Sequence, residues 1–89
     1  MERQRKQMKK ILITYNVSVP HGGALETGEA AAMLDFIPDA VVDELQAKLN
    51  NPKYRPNSWK ALMKTLTGLE EMRGRVFDKN SVKSIQVVS

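Results

Sequence analysis

Residues 27–45, TGEAAAMLDFIPDAVVDEL, decide how the rest of this chain must fold. Thr27 has a helix-capping side chain, Glu29 stands where a first-turn carboxylate meets the positive end of a helix dipole, and Ala30, Ala31 and Ala32 have high helix propensity. The expected helix starts near Gly28 and ends at Phe36-Ile37-Pro38, because a residue before proline is driven out of the helical region. A second helix restarts at Pro38 or Asp39, runs through Val41, Val42, Leu45 and Leu49, and stops at Asn50-Asn51-Pro52.

Upstream, Ile11, Ile13, Tyr15, Val17 and Val19 alternate with Leu12, Thr14, Asn16 and Ser18, the two-residue period of a strand with one buried face. Pro20, Gly22 and Gly23 are expected to stop it. Downstream, the linker NPKYRP leads into a third helix, capped by Asn57 or Ser58, with an apolar stripe of Trp59, Leu62, Met63, Leu66, Leu69 and Met72. Gly74 supplies a left-handed stop, and residues 75–77 and 82–88 read as short strands around the turn Asp78-Lys79-Asn80-Ser81. The expectation is an α+β domain over residues 10–89 with an N-terminal strand, three helices and a C-terminal strand or short hairpin. Its small antiparallel sheet packs on the helices and leaves edges that dimerisation would extend. Residues 1–9 are expected to be a mobile basic arm.

The spacing within residues 27–45 also resembles the helix-turn-helix motif of duplex-DNA readers. Ala31 stands at the motif's small position, and Leu34, Phe36, Val41 and Leu45 follow at its apolar positions, while Asp35 replaces the usual turn glycine. The resemblance implies that the second helix would enter the major groove with Pro38, Asp39, Val42, Asp43 and Gln46 outward. Two carboxylates and no cation on that surface would be repelled by phosphates, so the sequence favours a structural helix pair over a DNA reader. Asp39, Val42, Asp43 and Gln46 are then a candidate surface for a basic protein partner.

Charge is segregated along the chain. Residues 24–47 carry six acids and no cation, and residues 48–67 carry five cations and no acid, within a net charge of +4 over 89 residues. Blocks of this length put opposite signs on different faces of a small domain. The segment KYRPNSWKALMK, residues 53–64, is the stronger candidate for nucleic acid. Lys48, Lys53, Arg55, Lys60 and Lys64 supply cations for phosphates, Tyr54 and Trp59 offer flat faces for unpaired bases, and Asn57 stands at the helix start. Lys60 and Lys64, four residues apart, share one helix side.

Catalysis has little to stand on. His21 is the single histidine, there is no cysteine, and neither a dinucleotide-binding nor a P-loop glycine pattern occurs. No metal, cofactor or catalytic residue is expected, and the absence of thiols and of a long apolar run fits a cytoplasmic protein. A chain this short buries only about 60% of its unfolded surface, which favours a homo-oligomer. Two functions follow from the residues: a small nucleic-acid-binding or regulatory protein using residues 53–64 and the basic arm, or an interaction module using the acidic helix. The second suits an inhibitor or accessory factor of the kind that phages and other mobile elements carry.

Overall fold

A computed structural model describes residues 8–89 as β1 (Met8–His21), β2 (Ala24–Pro38), α1 (Asp39–Asn50), α2 (Asn57–Met72), β3 (Val76–Phe77) and β4 (Ser84–Val87). The basic arm therefore lies outside the described residues except for Met8 and Lys9, which already belong to β1. The architecture is α+β, an antiparallel sheet of four strands with two helices. Among the described residues no helix is long and apolar enough to cross a membrane.

The expected first helix is a strand. Gly22 and Gly23, both at positive φ (57° and 84°), close a two-residue turn in which His21 pairs with Ala24. Such turns match the twist of the flanking strands and demand residues that tolerate positive φ at both positions, which glycine does without strain. Pairing then runs back along β1, with Tyr15 opposite Ala30, Ile13 opposite Ala32 and Ile11 opposite Leu34. Ala30, Ala32 and Leu34 face the core while Ala31, Met33 and Asp35 face solvent, a period of two hidden by the helix-favouring composition. Pro20 does not interrupt this ladder. It stands at a position whose backbone donor would point away from β2, toward an edge that β3 leaves uncovered.

The strand pair ends in a bulge. Lys9 pairs with Ile37 and Ile11 with Leu34, so Asp35 and Phe36 share the position opposite Lys10, and Phe36 adopts φ 59° and is 78% exposed. A bulky side chain in that region costs on the order of 1–3 kcal/mol, which the surrounding ladder must offset. With residues 27–36 in a strand, no helix precedes α1 and the helix-turn-helix resemblance has no structural counterpart. Three expected helices become two.

The other edge of β1 is filled by β3 opposite Val17 and Ser18 and by β4 opposite Ile11 to Thr14. The two short strands are one interrupted edge strand rather than a hairpin with each other. All four strands come from a single chain, so the sheet forms without the dimerisation expected to extend it. Both helices cover one face, where Ile11, Ile13, Tyr15, Val17, Val42, Leu45, Leu62 and Leu66 form the core. The caps differ from expectation: Pro38 and Pro56 are the N-caps, and Ser58 instead donates through Oγ to Glu44 Oε1 at 2.6 Å, tying α2 to α1.

At its other end α2 closes in a Schellman motif. Gly74 (φ 73°) donates to the Glu71 carbonyl at 3.0 Å and Arg75 to the Glu70 carbonyl at 2.8 Å. The motif folds the Arg75 side chain back onto Glu70, the one fully buried acid among the described residues. The Glu70 carboxylate accepts from Tyr15 Oη at 2.5 Å, Arg75 Nε at 2.7 Å and Arg73 Nη1 at 3.2 Å. Burial pushes the Glu70 carboxyl up, but hydrogen bonds from Tyr15 and Arg75 and the charges of Arg75 and Arg73 more than reverse this and hold it below its ordinary value. Burial, and then the hydrogen bond to Glu70, raise the Tyr15 phenol. Tyr15 also packs edge-on against Phe77, ring centroids 5.0 Å apart, so one cluster binds β1, α2 and β3 together.

A depressed carboxyl contributes stability that is complete above its unfolded value of about 4.5 and is lost as pH falls through the folded value. Glu70→Gln is expected to destabilise the fold by about 2 kcal/mol at neutral pH, as hydrogen bonds to charged groups are lost. Urea unfolding of the variant should show a shallower decline of stability below the ordinary carboxylate range than the parent does. An unchanged acid slope would remove Glu70 as the titrating group.

Candidate nucleic-acid interface

Trp59, in the first turn of α2, is half-buried and borders three adjoining hollows on one side of the molecule. The largest, about 510 Å³, runs along α2 past Lys60, Met63, Lys64, Thr67 and Gly68 to Glu71, with Lys79 opposite. The second lies between Lys48, Pro52, Trp59 and Asn80, and the third between Arg55, Pro56, Trp59 and Lys60. The three together form a groove with the indole at its centre.

Each cation around it is delivered by a different local device. Lys48 ends α1, where a cation suits the helix dipole; its ammonium donates to the Pro52 carbonyl and sits 5.8 Å from the Trp59 ring centroid. Arg55 precedes the buried Pro56 that starts α2. Lys60 and Lys64 lie one turn apart on the exposed side of α2. Lys79 comes from the turn between β3 and β4, which is pinned at both ends. Asn80 N–H donates to Asp78 Oδ1 at 3.0 Å, Ser81 Oγ donates to the Asp78 carbonyl at 2.7 Å, and Asn16 N–H donates to Ser81 Oγ at 2.8 Å. The turn is thereby held against β1, and Lys79 and Asn80 stand on the groove.

These cations keep their charge unspent. Among the described residues, ion pairs join Lys9 to Asp39 at 3.8 Å, Lys10 to Asp35 at 3.7 Å, Lys83 to Glu29 at 2.6 Å, and Arg73 and Arg75 to Glu70. The hydrogen bond and charge of Lys83 hold the Glu29 carboxyl below its ordinary value. Lys48, Arg55, Lys60, Lys64 and Lys79 have no carboxylate within ion-pair distance among those residues. Glu71 is the sole acid on the groove wall.

The structure brings together Lys48, Arg55, Trp59, Lys60 and Lys64 of the candidates named from sequence, and adds Lys79 and Asn80. Lys53, the 38% exposed Tyr54, and Asn57 do not line the groove. The acidic surface is not assembled as expected. Val42 is buried in the core at 4% exposure, Gln46 is half-buried with its side-chain amide donating to the Ile85 carbonyl at 3.4 Å, and Asp39 faces Lys9. Of the four residues only Asp43 is openly exposed. The reason is helical phase: Val42 and Leu45 form the buried stripe of α1, which turns inward the side that a recognition helix would present. His21 stands exposed at the hairpin tip, Nδ1 3.4 Å from Glu26.

No protein-family model matches the chain, and no curated protein or solved structure is significantly similar to it.

Val42→Arg would bury an unpaired cation beside Leu45, a change in the class that costs more than about 4 kcal/mol. Loss of the cooperative thermal transition by circular dichroism is the expected result. A variant that melts like the parent would restore Val42 to the surface.

Proposed function

We propose that this protein is a small non-enzymatic nucleic-acid-binding protein whose groove takes a single strand, with phosphates met by Lys48, Arg55, Lys60, Lys64 and Lys79 and a base stacked on Trp59. One observation carries the reading: five cations from four separate segments converge on a half-exposed indole without carboxylate partners among the described residues, while Lys9 and Lys10 of β1 and the lysine preceding β4 are spent on acids. A solvated helix side needs no such convergence. The combination of a positive groove with an aromatic platform is the physical requirement for holding a single strand with little sequence preference.

The Lys48 ammonium stands over the Trp59 ring, 5.8 Å from its centroid, so a base that stacks on that face displaces the lysine toward the adjoining phosphate. The acidic α1 surface supports a protein partner less well, since it offers Asp43 without the apolar Val42 that would anchor an interface.

The single tryptophan makes the test direct, because its fluorescence reports the groove and nothing else. Titration with single-stranded oligonucleotides at low salt should quench it, and affinity should fall with salt at a slope of about −0.7 for each cation engaged. Lys60→Glu with Lys64→Glu should lower affinity by at least about tenfold and flatten the slope by about 1.4 while leaving the melting transition in place. Oligonucleotide binding that leaves the fluorescence unchanged, with inorganic polyphosphate competing equally well, would indicate charge alone and discard the stacking role. No binding at low salt would discard the reading.

A further inference from the structure

Beyond the groove, the strongest unexplained feature is the outer edge of β2. Lys10, Thr14 and Asn16 direct their backbone groups toward the β3–β4 side: Val88 N–H donates to Lys10 O, Lys83 N–H to Thr14 O and Asp78 N–H to Asn16 O. Odd-numbered residues of β1 therefore face β2, and through the pairs Tyr15 with Ala30 and Ile13 with Ala32 they occupy the even-numbered residues of β2. The N–H and C=O of Thr27, Glu29, Ala31 and Met33 are left pointing outward. One long contact, Arg73 Nη1 to the Ala31 carbonyl at 3.5 Å, is all that reaches this comb among the described residues, and it leaves the second lone pair of that oxygen open.

We infer that a second copy of this chain pairs with β2 in antiparallel register about a two-fold axis at Ala31, joining the two sheets. Three observations select this occupant. First, the edge lacks the usual guards against pairing: from Thr27 to Met33 it has neither proline nor lysine, and two of its acids, Glu29 and Asp35, are already held by Lys83 and Lys10 of the same chain. Second, the register is self-complementary. An axis at Ala31 sets Glu29 opposite Met33, with the smallest outward side chain on the axis and a ladder that ends before the bulge at Asp35 and Phe36. Moving the axis to Glu29 would place that carboxylate on its own copy, and moving it to Met33 would run the ladder into the Phe36 bulge.

Third, the cation that reaches this edge, Arg73, is already paired with Glu70, and the hollow beside the edge is uncharged. A hollow of about 230 Å³ opens between β2 and α2, and none of its lining residues, among them Leu34, Ile37, Ala61 and Thr65, carries a charge. The cations of α2 all lie on its other side, along the Trp59 groove. The molecule thus has one side lined by cations without carboxylate partners among the described residues and another whose charged groups, Arg73, Glu29 and Asp35, are each paired within the chain. This pairing does not rest on the nucleic-acid reading.

Sedimentation equilibrium of the full chain at micromolar concentration should give twice the chain mass. Ala31→Lys sets two ammonium groups face to face on the axis, and Ala31→Pro deletes an outward donor while sparing every bond to β1. Both should yield folded monomers by circular dichroism, whereas Lys60→Glu with Lys64→Glu should leave the mass doubled. The chain has no cysteine, so Ala31→Cys reports the axis directly. Paired residues about 5.5 Å apart at Cα are within disulfide reach, and oxidised glutathione should link that variant covalently. Thr27→Cys, whose copies would stand eight residues or about 27 Å apart along the strands, should stay unlinked. A parent of monomeric mass, a dimer that survives both Ala31 substitutions, or linkage at Thr27 in place of Ala31 overturns the inference.

Discussion

The register between β1 and β2 is the constraint on which everything else in this fold depends, and the two positive-φ glycines at its closed end set it. Because side chains alternate strictly along a strand, a slip of one residue would send Ile11, Ile13, Tyr15 and Val17 to solvent and bring Leu12, Thr14, Asn16 and Ser18 inward. With the turn fixed, the core face of β1 is also fixed, and α1 and α2 have one surface on which to pack. Tyr15 then meets Glu70, and the Schellman turn after α2 supplies the arginine that the buried carboxylate requires. A carboxylate without that partner would be strongly destabilising in the interior, so the turn and the charge are mutually dependent.

The same register decides which charges are consumed. Lys10 lands beside Asp35 because the bulge places Asp35 and Phe36 opposite it, and Glu29 lies within reach of Lys83 across the solvent face of the sheet. The acidic block of residues 24–47 is thereby partly neutralised by lysines outside the basic block. The cations of residues 48–67 are left over, and the fold gathers most of them around Trp59. Exposed pairs of this kind add little stability each, so their consequence is the potential they remove from one face and leave on another.

Much of this was legible in the sequence, and the exceptions have identifiable causes. The alternation from Ile11 to Val17, the stripe of α2 from Trp59 to Leu69, the stop at Gly74 and the turn at residues 78–81 stand where local pattern puts them. Val19 and Met72, expected on the buried faces, are instead 37% and 87% exposed, and Glu70 is buried in the last turns of α2. Residues 27–36 do not follow local pattern, because a run of alanines satisfies a helical period and an alternating one equally well. The non-local pairing with β1 then outweighs their intrinsic preference. The signal that would have separated the two was Gly22-Gly23 itself, a two-residue hairpin turn flanked by an alternating strand. Pro20 obscured it, since a proline counts against a strand unless its missing donor faces an unpaired edge.

For the groove, composition named the cations and the indole but not their meeting. Lys79 is separated from Trp59 by twenty residues and reaches it only because β3 lies along β1 and the following turn is tied to Asn16. Tyr54 and Lys53, close neighbours of Trp59 in sequence, are exposed in the linker before α2 and line none of the three hollows. Adjacency in sequence is thus a poor guide here, and the sheet is the better one: the element that sets the hydrophobic face also carries Asn16, which anchors the turn bearing Lys79. A substitution that loosened β1 would therefore disperse the groove without touching any residue that lines it.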